Sequence, residues 1–202
     1  MARTPRSLLA AIARRVARAV RLQRRTVLWA LRPAGPVEHP RAPEGLEIRR
    51  IVAADLPALV EAQFIDRGLL ELRLARGDWG YLALLDGRPA SHCWVQFTGE
   101  HEVSQVGRTY RLAPGENMVY NSRTAAFARG KGIYSVLLAR ILADLFAAGY
   151  RAAWGYVNSD NEAPIRGMTR AGFRFGPSWN ALYVSYWTIP YGTDERPPVP
   201  PA

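Results

Sequence analysis

Arg129, Gly130, Lys131 and Gly132 stand in a row directly before "IYSVLLARILADLFAAG", residues 133–149. Val136, Leu137, Ile141, Leu142, Leu145 and Phe146 recur in that run at helical spacing, so the two glycines occupy a loop that opens a helix. The first N–H groups of a helix have no partner within it. Glycines there let a ligand approach the backbone, and the helix dipole favours a negative group. Arg129 adds positive charge, as does Lys131, the only lysine in the chain. The chemistry this suits is phosphate binding. The same residues also read as a plain turn with two solvated cations.

Two nucleotide motifs fail against this loop. The pattern G-x-x-x-x-G-K-[ST] is broken because Gly132 follows Lys131 and no glycine stands at the required place before Gly130. A dinucleotide fingerprint needs glycine where Ser135 stands and an acid near Tyr150, Arg151 and Ala152.

A second landmark follows the next strand: Asn161, then "EAPIRGMTRAGF", ending at Gly172-Phe173. The two landmarks together, with "RAAWGYV" as a strand between them, resemble the GNAT N-acetyltransferase superfamily. Its acyl-CoA signature, [Q/R]-x-x-G-x-[G/A], reads here Arg129-Gly130-Lys131-Gly132-Ile133-Tyr134. The resemblance covers about residues 46–188.

The resemblance implies an α/β (α+β) fold: a mostly antiparallel six- to seven-stranded mixed sheet, splayed between the fourth and fifth strands and flanked by about four helices. It implies acetyl-CoA or another acyl-CoA as co-substrate. Pantetheine lies along the strand at Ser122–Thr124 in that picture, and pyrophosphate on the backbone of residues 130–134. Asn161 contacts the CoA arm or braces the loop. The activity implied is N-acyl transfer to a primary amine by direct attack on the thioester.

The sequence departs from the pattern twice. The helix position that often carries the family's acidic tyrosine is Met168, and Tyr134 fills a slot usually held by a small residue. Tyr156 and Tyr120 are the substitute acids, and Glu116 is the candidate base, acting directly or through water. Each also reads structurally, the tyrosines as strand packing and Glu116 as a loop acid.

The elements that must position these residues follow from periodicity. "LEIRRIV" alternates as a strand, and "AADLPALVEAQF" and "DRGLLELRLARG" read as helices. Asp86-Gly87 marks a hairpin between two strands. "FRFGPSW" and "ALYVSYWTI" are closing strands. Residues 98–120, with Glu100, Glu102 and Glu116, fall where the acceptor site would be shaped. Trp79, Trp94, Trp154 and Trp179 either line that site or fill the core.

The formal charge of +10 is concentrated at one end. Nine arginines and no acidic residue precede Glu38, and the rest of the chain is close to neutral. Read at helical spacing, residues 1–32 form a basic amphipathic arm, with Leu8, Leu9, Ile12, Val16, Val20, Val27 and Leu31 on one face. Three roles compete for it: lying on an anionic membrane surface, packing on the domain or a second subunit as in a homodimer, and, least favoured, binding nucleic acid. Its composition also matches a cleaved transit peptide. Residues 33–45 read as a Pro/Gly-rich linker, 46–190 as the acyltransferase domain and 191–202 as a disordered Pro-rich tail.

One cysteine, Cys93, excludes an intrachain disulfide and reads as a small buried strand residue. With three scattered histidines, no metal site is expected. No run reaches the roughly 18 apolar residues of a membrane span. These features suggest a cytoplasmic chain, peripheral on the inner face of the membrane if the arm binds lipid. The resemblance and the arm together suggest a small-molecule, lipid-linked or sugar-linked amine as the acceptor. Two other classes stay open: a CoA-binding regulatory module that has lost catalysis, and a membrane-tethered interaction protein.

Overall fold

The computed structural model describes residues 22–62, 66–184 and 187–195. Eight strands form one sheet. They are β1 (Leu22–Pro33), β2 (Leu46–Arg50), β3 (Trp79–Leu85), β4 (Arg88–Gln96), β7 (Met118–Thr124), β8 (Ala152–Asn158), β9 (Arg174–Val184) and β10 (Trp187–Tyr191). Their order across the sheet is β10-β9-β1-β8-β7-β4-β3-β2. β5 (Glu100–Val103) and β6 (Arg108–Arg111) make a separate two-stranded ribbon. The helices are α1 (Leu56–Glu61), α2 (Arg67–Arg76), α3 (Ile133–Ala147) and α4 (Glu162–Arg170). The mostly antiparallel α/β architecture matches the expectation, with eight sheet strands in place of six or seven.

The extra strand comes from the expected arm. Residues 22–32, read as the end of an amphipathic helix, are extended in β1, between β9 and β8. Thr26, Val27 and Trp29 are β-branched or aromatic and favour a pleated surface. Val27, Trp29 and Leu31 enter the core on one face of the sheet, and Ala30 enters the core on the other. Val27 and Leu31 are also four apart, which is why a helical stripe accounted for them while leaving Trp29 unexplained. The folded domain thus includes residues 22–33 and does not begin at Leu46. The rest of the proposed arm, residues 1–21, lies outside the described residues.

Residues 34–45 carry the chain from β1, in one half of the sheet, to β2 at the far edge. The Arg32 guanidinium donates to the carbonyls of Ala171 and Pro36. At the other end, Tyr191 closes β10, and the Glu195 carbonyl accepts from Trp179 Nε1 at 3.1 Å. Residues 196–202 of the expected tail are outside the described residues.

Two cores lie on the two faces. One joins α1, α2 and the ribbon to the sheet through Leu56, Leu59, Leu70, Val103, Trp94 and Trp154. The other seats α3 through Leu137, Leu138, Ile141, Leu142 and Leu145, with α4 contributing Met168. Trp94, Trp154 and Trp179 are core residues. Cys93 is fully buried, and burial pushes its thiol up to about 11. Asp86 and Gly87 both have positive φ, 52° and 75°, as the tight β3–β4 turn requires.

The candidate active site

β7 and β8 are the parallel pair in the middle of the sheet. They pair only at Met118↔Trp154 and Val119↔Gly155. Beyond Val119 they part, which leaves the β8-facing edge of β7 without a strand partner. Such an edge can accept an extended, amide-bearing ligand as an added strand. On its other side β7 pairs with β4, and there His92 faces Arg123 while Trp94 faces Tyr120. Asn121 and Ser122 therefore oppose the single residue Cys93. This is a β-bulge, with Asn121 at φ 48°.

Two cavities open from the splay. The second, of about 620 Å³, lies at the start of α3. Gly130 and Gly132 have φ of 77° and 75°, a backbone that residues with a Cβ rarely adopt. A Cβ on either would meet no atom within 4 Å, so the space in front of the helix start is open. Arg123, Arg129, Arg166 and Arg170 ring this cavity, so its electrostatics favour a polyanion. The open space before the helix start and the arginine ring fit the phosphate arm of CoA.

Ser122, Thr124, Arg129, Gly130, Gly132, Ile133, Tyr134 and Asn161 all line this second cavity, as the spacing of the motifs suggested. Lys131 does not. Its side chain borders a surface depression beside Arg41–Glu44. The αL turns at Gly130 and Gly132 place the intervening residue on the outside of the loop.

The first cavity, of about 630 Å³, lies between the splay, α2 and the ribbon. Tyr120 and Tyr156 both reach it; Glu116 does not. Glu116 is buried, and its Oε2 accepts from Tyr110 Oη and from the Ala113 N–H, both at 2.8 Å. It ties the 111–116 turn to the ribbon.

The Tyr120 hydroxyl donates to Asp78 Oδ2 at 2.5 Å, and Arg76 holds the same carboxylate through Nε and Nη2. Burial, with the adjacent Asp78, raises the Tyr120 pKa well above its usual value. Tyr156 Oη stands 3.1 Å from His101 Nε2. His101 Nδ1 is 2.8 Å from Gln96 Oε1, and Gln96 Nε2 donates to the carbonyls of Thr98 and Glu100. That orientation of Gln96 assigns the proton to His101 Nδ1, so Nε2 accepts from Tyr156. Burial lowers the His101 pKa to about 4, and it raises that of Tyr156 to about 12.

Met168 packs on Gly155 at the apex of the splay, with Cε at 3.0 Å from where a Cβ would stand. No hydroxyl comes from that helix position. Tyr134 enters from the opposite wall. Its ring covers Gly167, its hydroxyl hydrogen-bonds Ser122, and it lines both cavities. The bulky residue at the end of the loop motif thus stands at the junction of cradle and splay.

Sequence reasoning did not single out His101, Arg73 or the Arg76–Asp78 pair. Arg73 had a legible signal. It falls three residues after Leu70 on the buried stripe of α2, where an arginine is out of place. His101 had none, because its role depends on the ribbon folding back over the sheet.

No protein-family model matches the chain, and no curated protein does. Solved structures do. A putative acetyltransferase of the GNAT family from Novosphingobium aromaticivorans is 20% identical with a TM-score of 0.58, over 82% of this chain and 66% of that one. A GCN5-related N-acetyltransferase from Sphaerobacter thermophilus is 20% identical with a TM-score of 0.61, over 92% and 58%. A GCN5-related N-acetyltransferase from Kribbella flavida is 18% identical with a TM-score of 0.54, over 90% and 65%. This chain spans less than two thirds of each of those proteins. The splayed sheet, the loop that opens α3 and these likenesses give one conclusion: the chain has the fold of the GNAT superfamily.

Proposed function

We propose that the chain is an acyl-CoA-dependent N-acyltransferase, most simply an N-acetyltransferase, acting on a primary amine. The observation that carries this is the continuity of one surface. The unpartnered edge of β7 runs from the first cavity, past Ser122 and Tyr134, into the arginine-ringed cradle at the start of α3.

In this reading the amine nitrogen attacks the thioester carbonyl carbon, and the C–S bond breaks. The amine must lose a proton and the leaving sulfur must gain one. Tyr156 serves the first transfer: its oxygen takes the proton as its own passes to His101 Nε2. His101 is neutral near pH 7 because burial holds its pKa low, so Nε2 has a free lone pair, and the same low pKa makes its charged form a transient carrier that gives the proton up to solvent in the cavity. Tyr134 serves the second. Its hydroxyl stays protonated at neutral pH, because burial pushes its pKa up, and it stands where the two cavities meet. Tyr120, committed to Asp78, positions the wall.

Calorimetric titration with acetyl-CoA tests the binding half of the proposal. Saturable binding is expected, and Gly132→Glu should abolish it by placing a carboxylate in the cradle. Absence of binding to the wild type would remove the acyl-CoA reading. Thiol release with a panel of amines tests the chemical half. Binding without release from any amine would favour the CoA-binding regulatory reading, which Met168 supports. Peripheral membrane association rests on residues 1–21 alone, which carry six arginines. Flotation with anionic liposomes should fall when those residues are deleted. Flotation that ignores the deletion would end that reading.

A further inference from the structure

The first cavity has an unbalanced pair of charges. Arg73 is 5% exposed and lines it. Its Nη1 donates to Asn121 Oδ1 at 3.1 Å, and its guanidinium stacks over Tyr120 and Trp94 at 4.8 and 5.2 Å from the ring centroids. It makes no ion pair among the described residues, whereas the nearby carboxylate, Asp78, is held by Arg76. A guanidinium has five N–H donors in a planar fork, and one amide oxygen uses one of them. Asp78 also lies within the electrostatic reach of Arg73, but it is shared with Arg76, so the cluster keeps one positive charge in excess, and burying an uncompensated charge is costly.

Residues of the opposite sign line the same cavity. Glu100 is paired with Arg111 at the rim, but Glu102 makes no ion pair among the described residues. Glu102 acts on Tyr156, the residue assigned above to take the amine's proton, and Arg73 also lies within the electrostatic reach of Tyr156. The buried Arg73 and the exposed Glu102 thus both act on the tyrosine from the lining of one cavity of about 630 Å³.

We infer that Arg73 docks a carboxylate of the acceptor, so that the substrate is a small molecule of amino-acid type, its ammonium toward Glu102 and Tyr156 and its carboxylate in the Arg73 fork. This rests on the acyltransferase reading for the identity of the amine, but the carboxylate site is a separate physical claim. The bulge at Asn121 belongs to it: by turning the Asn121 amide oxygen onto Nη1, it orients the rest of the guanidinium. The neutral amide holds the arginine without neutralising it.

The test is calorimetry with a panel of N-acetyl-L-amino acids and their C-terminal amides. These have the form of the products and differ within each pair only in the carboxylate. At least one acid should bind, about tenfold or more tighter than its amide, the discrimination of a lost charge-assisted pair. Arg73→Gln should erase that preference. Asn121→Asp should weaken acid binding by a similar factor with Arg73 in place, because the new carboxylate supplies the missing counter-ion internally. Circular dichroism reports folding, and the Asn121 variant keeps the test decisive if Arg73→Gln does not fold. The inference falls if no acid outbinds its amide, if the preference survives Asn121→Asp, or if that variant loses acetyl-CoA instead. Should acids bind through Arg73 while acetyl-CoA does not bind at all, the carboxylate site stands and the acyltransferase reading falls.

Discussion

Tyr134 shows how one side chain changes its meaning between sequence and structure. In the loop motif it looks like an intrusion into a small-residue slot. In the fold its ring lies against Gly167, where even a methyl group would come within 2.7 Å of the ring, and its hydroxyl reaches Ser122. Tyr134→Phe should keep acetyl-CoA affinity within about twofold and lower kcat by the 10²–10⁴ typical of a lost proton-transfer group. A larger effect on acetyl-CoA binding than on kcat would make it a packing residue. Tyr156→Phe and His101→Gln should each lower kcat, and the double variant should cost no more than the worse single one, since they act as one relay. Additive losses would separate them. Glu116→Gln, by contrast, should reach activity only through stability, because that carboxylate ties a turn outside the cavity.

Among the elements, β1 carries the largest consequence. It lies between β9 and β8, and Val27 and Trp29 are fully buried. A chain lacking residues 1–21 keeps every described strand and should melt close to the full chain. A chain lacking residues 1–33 opens the sheet in its middle and strips both cores, and it should be insoluble or molten. Comparable thermal unfolding of both truncations would show β1 to be dispensable. α3 offers a local check. Ile141 is fully buried beneath it, so Ile141→Ala should cost about 2–5 kcal/mol, read as a lower urea midpoint at unchanged slope.

At the scale of the whole molecule, two buried histidines set the acid limb of stability. Burial lowers His92 from 6.5 to about 3 and His101 to about 4, so both are neutral in the folded protein. Above pH 6.5 neither state takes up their protons. Below it the unfolded chain binds protons that the native one refuses, so stability falls as pH drops, by up to about 1.4 kcal/mol per pH unit for each histidine. The loss levels off once pH passes below the folded values. Urea midpoints between pH 6.5 and 4.5 should show this slope, and His101→Gln should reduce it by about half. A flat profile over that window would mean that the histidines are reached by solvent.

The sequence by itself determined the local pieces of the site. The glycines before α3, Asn161, Gly172-Phe173 and the Asp86-Gly87 turn are legible because turn conformation and helix starts depend on neighbours in the chain. The excess charge before Glu38 is likewise a property of sequence alone. Tertiary structure decided the rest. Whether Thr26–Leu31 coils or extends depends on β8 and β9, whose residues lie more than 100 positions away. Lys131 and Arg129 are near neighbours in the loop, yet only Arg129 lines the cradle, because left-handed glycines on either side of Lys131 turn it outward. His101, Tyr156 and Arg73 come from the ribbon, β8 and α2. Their meeting is a matter of packing, and local spacing carries no information about contacts made across the core.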